Sequence, residues 1–283
     1  MLLVSVVYEL IKAVVLGIVE GITEWLPISS TGHLLLADEF VKLQATDEFY
    51  SVFLYVIQLG AILAVVVLFW NKLIPFGTGK SAVDKRHTYN LWCKIIIACI
   101  PGAVFGILFN DRVDALIAGT PAAKAVTIAA ALIFYGIIFI VIENAYKNKP
   151  LRIDSVQKLD YKTALVIGLF QVLSLIPGTS RSGITIIGAM LIGTSRMVAA
   201  EFTFFLSIPV MFGQSLLKLY NFGIHFTGPE AAVLITGTLV AFVVSLIAIR
   251  FLMNYVKKHD FKVFGWYRIA LGVIVLGYFL IFA

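Results

Sequence analysis

Two glutamates lie four residues apart in a strongly apolar stretch near the start of the chain. Glu20 and Glu24 occur in GIVEGITEWLPISSTGHLLL, residues 17–36, and at positions i and i+4 of a helix they share one face. Like charges at this spacing repel each other unless a cation lies between them or one carboxylate is protonated. Carboxylate oxygens favour Mg²⁺ or Ca²⁺ over zinc. The pair indicates a divalent-cation site or a proton-coupled pair, and the alternative without chemistry is two hydrated glutamates at a helix end.

A polar segment follows these glutamates and carries further reactive groups. It begins at Pro27 and contains Ser29, Ser30 and His33. A histidine beside a serine cluster can act as a base, an acid or a nucleophile. A histidine in a membrane helix can also be a satisfied core residue, so His33 is a candidate catalytic group with that structural alternative.

A second polar break occurs in the other half of the chain, in PGTSRSGIT, residues 177–185. Proline and glycine turn the backbone, and a helix is predicted to begin after the turn. Helix N-termini bind phosphate through free N–H groups and the helix dipole, and Arg181 adds a fork that matches phosphate oxygens. An ion pair from Arg181 to Glu20 or Glu24 is a compatible structural role. The candidate phosphate-binding residues are Ser29, Gly178, Thr179, Ser180, Arg181, Ser182 and Thr185.

The composition places both polar breaks in a membrane protein. Of the 283 residues, 60% are hydrophobic and 13% are charged, with a mean hydropathy of +0.99, whereas a soluble domain is nearer half apolar and a quarter charged. Long apolar blocks favour helices over a barrel. The net charge of +6 comes from loops between these blocks, which indicates membrane orientation and no nucleic-acid partner. Cys93 and Cys99 are interpreted as buried core thiols.

Six apolar blocks are long enough to cross a bilayer, which takes about 20 residues. They cover 49–70, 92–110, 122–143, 201–220, 231–252 and 264–282. Each polar break instead separates an apolar arm from a second arm that is too short to span. Irregular backbone at membrane depth must be buried in protein or line a wet cavity. We therefore predict an all-α polytopic membrane protein with two re-entrant helix–loop–helix elements and six full spans, about ten helices in all.

The two halves of the chain resemble each other, which indicates an internal duplication. We predict repeats at about 1–150 and 158–283 within a single membrane domain covering residues 1–283. Each repeat holds a re-entrant element and three spans, so the second copy must be inverted. The two hairpin tips are then expected to meet near the membrane midplane. Corresponding residues are Gly17 and Gly168, Glu20 and Gln171, and Pro27 and Pro177.

The distribution of basic residues predicts the orientation. Lysine and arginine are concentrated in one set of loops, near 71–94, 144–162 and 250–268, and are sparse in the opposite set, near 38–48, 111–124 and 218–230. The positive-inside rule places the first set in the cytoplasm. Both termini and the mouth of the first hairpin are therefore predicted to lie outside. Arg268, Lys147 and Lys149 are counted with the cytoplasmic charges.

The combination of motifs resembles a known family. EGITEWLPISSTGHL, VIQLGAILAVVV, PGTSRSGIT and SRMVAAEFTF are similar to the bacterial undecaprenyl-diphosphate phosphatases, the BacA/UppP family, over essentially the whole chain. The resemblance implies a hydrolase of the bacterial cytoplasmic membrane that converts undecaprenyl diphosphate to undecaprenyl phosphate and phosphate, which recycles the lipid carrier of peptidoglycan synthesis. It also implies bacitracin resistance, indirectly through the substrate that bacitracin sequesters. A divalent cation, an interlocked inverted-repeat fold and a capacity to form homodimers are implied as well.

The family motifs fall on the residues described above. Glu20 and Glu24 match its ExxxE element, and on this basis are expected to hold Mg²⁺ or Ca²⁺. Ser30 is the expected nucleophile, with His33 as base and then acid, although attack by His33 or by water stays open. Arg181 is expected to bind the terminal phosphate. A transporter or flippase of a lipid phosphate or other anion is the rival function, and a structural membrane subunit is a weaker one.

Overall fold

The computed structural model describes residues 2–77, 79–117, 120–146, 152–223 and 225–282, so that Lys147 and Lys149 lie outside the described residues. Within these residues the chain forms eleven α-helices and no β-strand. The helices are α1 (Leu2–Thr23), α2 (Ser30–Val41), α3 (Asp47–Leu68), α4 (Trp70–Leu73), α5 (Ala82–Ile117), α6 (Pro121–Tyr146), α7 (Tyr161–Val172), α8 (Arg181–Ile192), α9 (Arg196–Phe222), α10 (Gly228–Tyr255) and α11 (Lys262–Phe282). Short 3-10 turns occur at Val156–Lys158 and Leu173–Leu175.

Six of the described helices, α3, α5, α6, α9, α10 and α11, are long and apolar enough to cross a membrane. They match the six predicted blocks, and the prediction of an all-α polytopic membrane protein is confirmed. The largest difference is in α5, which begins at Ala82 rather than near residue 92. A hydropathy criterion does not detect the first turns of α5 because they are polar. Asp84 stabilises this helix start by accepting the Ser81 N–H at 3.0 Å.

Two interpretations of single residues are wrong. Cys93 is exposed on α5 and Cys99 is only half-buried, so Cys93 is not a core thiol. Arg268 is fully buried in α11 rather than placed in a cytoplasmic loop. The physical reason is that its guanidinium donates hydrogen bonds to backbone carbonyls of the two polar breaks, which have no helical partner.

Each polar break forms a helix–turn–helix. The first joins α1 to α2, and the second joins α7 to α8 through the 3-10 turn at Leu173–Leu175. In both, the residue before the second helix has positive φ without being glycine, 74° at Ser29 and 70° at Ser180. Such a conformation costs about 1–3 kcal/mol and clusters at functional sites. The same strained turn therefore occurs in both hairpins, at corresponding positions of the predicted repeats.

Each hairpin packs against a helix from the opposite half of the chain. The first arm, α1, lies along α10, and the corresponding arm, α7, lies along α5. Glycine allows the close approach, since a Cβ on Gly17 would lie 2.7 Å from the Gly237 carbonyl oxygen and a Cβ on Gly168 would overlap the Ala98 backbone. This reciprocal packing is what interlocked inverted repeats produce. The boundaries of the repeats and the insertion depth of the hairpins stay predictions.

Candidate active site

The two hairpin tips meet at a polar cavity of about 240 Å³. Three residues of the first hairpin and four of the predicted phosphate-binding residues of the second line it: Glu24, Ser30, Thr31, Gly178, Ser180, Arg181 and Ser182. The spanning helices α3 and α9 contribute Tyr55, Gln58, Met211 and Gln214. Motif analysis assigns none of these four to the site, although Gln58 lies within VIQLGAILAVVV, because they belong to apolar spans without a polar break. The structure thus brings the two polar breaks to one site.

An ion pair joins the tips across the cavity wall. The Arg181 Nη2 donates to Glu24 Oε1 at 2.6 Å, and the two side chains are only 11% and 10% exposed. Its Nη1 donates to the Thr203 carbonyl at 3.2 Å, which fixes the plane of the guanidinium. Arg181 therefore forms the structural bridge that the sequence offered as an alternative, and its place in the cavity lining keeps it available to an anion.

Ser30 is hydrogen-bonded to Glu24 rather than to His33. Its Oγ donates to Glu24 Oε2 at 2.9 Å. The His33 Nδ1 donates to the Ser29 carbonyl at 2.7 Å, and Nε2 is hydrogen-bonded to the Tyr267 hydroxyl at 2.7 Å. Among the hydrogen bonds of the described residues, none joins Ser30 to His33. In this geometry the group that can accept the Ser30 proton is Glu24.

Glu20 lies one helical turn before Glu24 and is fully buried. Neither carboxylate oxygen has a hydrogen-bond partner in the described part of the chain. Burial of an unpaired carboxylate is costly, so Glu20 fits either a bound cation or a proton. The described residues contain no group of three or more His, Cys, Asp or Glu side chains that could hold a metal ion. Two carboxylates alone leave most ligand positions of a divalent cation to water and substrate oxygens, which both Mg²⁺ and Ca²⁺ accept.

Gln171 corresponds to Glu20 in the second hairpin but faces another helix. It is 4% exposed, and its Nε2 lies 3.1 Å from where a Cβ on Gly102 of α5 would be. Its Oε1 has no hydrogen-bond partner among the described residues. The two hairpins are therefore not chemically equivalent. The first supplies the carboxylates of the site, and the second supplies Arg181, which pairs with Glu24.

Only some of the predicted phosphate-binding residues line the cavity. Ser180 and Ser182 line the cavity with their hydroxyls 3.2 Å apart, and Ser180 also caps α8 by accepting the Gly183 N–H at 3.2 Å. Thr185 instead donates to the Arg181 carbonyl at 2.9 Å and contacts the Thr203 hydroxyl at 2.9 Å. Thr185 therefore supports the helix that carries Arg181. The hydroxyls of Ser29 and Thr179 are buried beside the tips without a partner in the described chain.

Arg268 is the buried group at this site that motif analysis missed. Its Nη2 donates to the Gly178 and Thr179 carbonyls at 3.0 and 2.8 Å, and its Nη1 donates to the Pro27 carbonyl at 3.4 Å. The guanidinium also lies 6.0 Å from the centroid of the Tyr135 ring. One cation on α11 thus holds both tips together. A signal was present, because an arginine inside an apolar span is expensive and usually functional.

We expect Arg268→Met to lower the free energy of unfolding by about 3 kcal/mol, because it leaves buried carbonyls without donors. Phosphate release should fall as the tips lose their common support. Thermal unfolding of the detergent-solubilised protein measures the first effect. Arg250→Met, an exposed arginine on α10, is the matched control and should change neither quantity. An unchanged unfolding temperature for Arg268→Met would show that Arg268 does not hold the tips.

The chain is similar to known proteins over nearly its whole length. The family profile of bacitracin resistance protein BacA matches residues 13–274. The chain is 60% identical over 273 residues to the undecaprenyl-diphosphatase of Lachnoclostridium phytofermentans, covering 96% of this chain and 98% of that protein. It is 58% identical over 274 residues to undecaprenyl-diphosphatase 1 of Clostridium acetobutylicum, with coverage of 96% and 98%. An undecaprenyl-diphosphatase of Enterococcus faecalis is 58% identical over 270 residues, with coverage of 95% and 96%.

The profile match begins within α1 and ends within α11. It includes every residue that lines the cavity between the tips. The chain therefore belongs to the BacA family of bacitracin resistance proteins.

Proposed function

We propose that this protein is an integral membrane phosphatase that hydrolyses undecaprenyl diphosphate to undecaprenyl phosphate and inorganic phosphate. The observation that carries the proposal is the convergence of Glu24, Ser30 and Arg181 on one polar cavity between the hairpin tips. The identity of the substrate is supported by the relatives, which are named undecaprenyl-diphosphatases. The reaction regenerates the lipid carrier of peptidoglycan synthesis, and it confers bacitracin resistance because bacitracin acts by sequestering the diphosphate lipid.

Ser30 is the proposed nucleophile, with Glu24 as its base. Ser30 Oγ attacks the terminal phosphorus, its proton passes to Glu24 Oε2 at 2.9 Å, and the bond from that phosphorus to the bridging oxygen breaks. Undecaprenyl phosphate leaves with the bridging oxygen. Water then hydrolyses the phosphoserine, which releases phosphate and restores the Ser30 hydroxyl. Arg181 stabilises the charge on the phosphoryl oxygens in both steps.

His33 and water remain the alternative nucleophiles. His33 would have to exchange its hydrogen bond to Tyr267 for one to substrate or to Ser30. Rapid acid quenching of the enzyme during turnover separates the three mechanisms. An acid-stable phosphoserine that is lost in Ser30→Ala supports Ser30. An acid-labile adduct that is lost in His33→Ala supports His33, and the absence of any adduct supports direct attack by water.

Glu20 and Glu24 are the residues that would hold a divalent cation, Mg²⁺ or Ca²⁺. When bound, the cation supplies Lewis-acid charge against the phosphate oxygens. The unpartnered oxygens of buried Glu20 support this assignment. Glu24 accepts one hydrogen bond from Arg181 and one from Ser30. Both of its oxygens retain further lone pairs, so Glu24 can accept these hydrogen bonds and also bind a cation.

The chain is a multi-pass membrane protein, and we place it in the bacterial cytoplasmic membrane. The excess of lysine and arginine in one set of loops supports an orientation with the cavity open to the outer face and both termini outside. Arg268 is buried and no longer counts among the loop charges, but the same set of loops still carries the larger number of lysines and arginines. The lipid chain would then lie in the outer leaflet with its diphosphate in the cavity. A homodimer is expected from the family resemblance, and light scattering of the purified protein tests it.

A transporter or flippase could use the same cavity, but it would break no bond. The test is phosphate release by purified protein in detergent micelles, where no second compartment exists. The proposed phosphatase releases one inorganic phosphate for each undecaprenyl diphosphate consumed, in the presence of Mg²⁺ or Ca²⁺. Binding of the lipid without phosphate release by folded protein would overturn the proposal and support a transporter.

A further inference from the structure

A second and larger polar cavity, of about 530 Å³, shares no lining residue with the cavity between the tips. It lies among α4, the segment after it, the first half of α5 and the 3-10 turn at Val156–Lys158. Its charged and titratable lining residues are Lys72, Lys80, Asp84, His87 and Lys94. Three lysines and one aspartate give this lining a net charge of +2 with His87 neutral. The cavity therefore favours an anion.

Lys94 is the most unusual of these groups because it is only 5% exposed. Its ammonium donates to the Gln157 carbonyl at 3.2 Å. No carboxylate lies within ion-pair distance of it in the described part of the chain. A lysine ammonium has three donors, and burial of a charge without a contacting counter-charge is costly. An anion in the cavity would supply both the charge and the missing acceptors.

The neighbouring charges do not meet this need. Lys72 is paired with Glu201 at 2.6 Å. Asp84 accepts the Ser81 N–H at 3.0 Å and the Ser81 hydroxyl at 2.7 Å, so its carboxylate is occupied at the start of α5. Lys80 donates to nearby backbone carbonyls. Asp160 attracts the Lys94 ammonium, but from beyond ion-pair distance. Lys94 is thus the most buried of the lining lysines, and it has no carboxylate in contact with it in the described part of the chain.

We propose that this cavity binds a phosphate group, at a site separate from the catalytic cavity. Lysine is a common phosphate ligand that acts as a point charge, and the cavity adds hydrogen-bonding side chains from Asn71 and Thr88. The two cavities are well separated along α9. Glu201, beside Lys72, and Met211, in the catalytic cavity, are ten residues apart, which is about 15 Å of helix.

Two sources could provide this phosphate. One is inorganic phosphate, and the other is the headgroup of an anionic phospholipid. A headgroup fits because the chain segments that line the cavity also carry exposed large apolar side chains, with Trp70 52%, Phe76 70% and Val83 61% exposed. The shared chemistry is a phosphate oxygen that accepts from Lys94, so the same variant tests both sources.

The experiment measures binding to purified Arg181→Ala protein, in which the catalytic phosphate site is removed. Inorganic phosphate is titrated by calorimetry at constant ionic strength, and short-chain phosphatidylglycerol is titrated against phosphatidylcholine. We expect one of the two phosphate ligands to bind, and Lys94→Met in this background to weaken its binding by about tenfold or more, the loss typical of a charge-assisted hydrogen bond. Lys258→Met, at an exposed lysine that does not line the cavity, should leave the binding of the ligand unchanged.

The pattern of binding identifies the source. Selective loss of phosphate binding indicates the free ion, and selective loss of phosphatidylglycerol binding indicates a headgroup. Lys94→Gln replaces Lys94→Met if the latter does not fold, as judged by thermal unfolding. Equal affinities of the Lys94 variant and the parent, or absence of all binding once Arg181 is replaced, would overturn the proposal.

Discussion

Arg181→Ala is expected to lower phosphate release from undecaprenyl diphosphate by about a thousandfold, the scale at which a guanidinium stabilises phosphoryl transfer. Arg181 is the cationic side chain among the described residues that line the cavity. Its removal takes away both the guanidinium fork that we propose to bind phosphate and the ion pair with Glu24. We expect the loss mainly in kcat, because the transition state carries the developing charge. A Malachite-green assay on purified protein in detergent measures it.

Arg196→Ala is the matched control for this prediction. Arg196 also pairs with a buried glutamate, Glu143, at 2.5 Å, but away from the cavity. The Arg196→Ala variant should be less stable than wild type, without a comparable fall in the rate of phosphate release. Arg181→Lys keeps the positive charge but lacks the guanidinium fork, so its rate of phosphate release should lie between those of wild type and Arg181→Ala. A rate near wild type for folded Arg181→Ala would show that the reaction occurs elsewhere.

Glu20→Gln is expected to lower phosphate release by about a hundredfold and to remove the effect of divalent cations on stability. The substitution keeps the shape of the side chain but removes a buried charge that has no partner in the described chain. Without cation, the variant should therefore unfold at a higher temperature than wild type. With Mg²⁺, wild type should gain stability through binding to the folded state, and the variant should not.

Thermal unfolding of both proteins with EDTA and with Mg²⁺ or Ca²⁺ tests this without reference to activity. Glu39→Gln, an exposed glutamate on α2, should respond to the cation as wild type does. An equal stabilisation of Glu20→Gln and wild type by the cation would rule out Glu20 as a ligand. A fall in wild-type stability as pH rises, absent from Glu20→Gln and with no response of either protein to cation, would favour the proton-coupled pair, because a buried carboxyl that is protonated in the folded protein must ionise at high pH.

Hydropathy and motif spacing were sufficient to predict the six spans and the two hairpins. The start of α5 could not be predicted in this way, because its first turns are polar and are held by side-chain caps such as the one from Asp84. Hydropathy detects apolar length, whereas a capped polar extension depends on the protein around it. The burial of Lys94 and Arg268 could not be predicted for the same reason. A charged residue in the sequence is expected to be exposed, and only contacts made by the folded protein bury these two.

Side-chain partners at the site were harder to predict than the residues themselves. Ser30 and His33 share a segment, and spacing favours their pairing. The positive φ of Ser29 sets the path of the chain into α2, where Ser30 meets Glu24 and His33 meets Tyr267. Tyr267 and Arg268 lie on the last helix, far from both motifs in sequence. Only the fold brings them to the tips.

The central claim is that the two hairpins form one active site, and a double-mutant cycle across the tips tests it most directly. Glu24→Gln, Arg181→Lys and the double variant are compared by kcat/KM for undecaprenyl diphosphate. Because the two side chains are in contact at 2.6 Å, we expect the double variant to be little worse than the poorer single variant, with a coupling energy of about 1–3 kcal/mol. Losses that add to within about 0.5 kcal/mol, as for independent sites, would contradict a shared site.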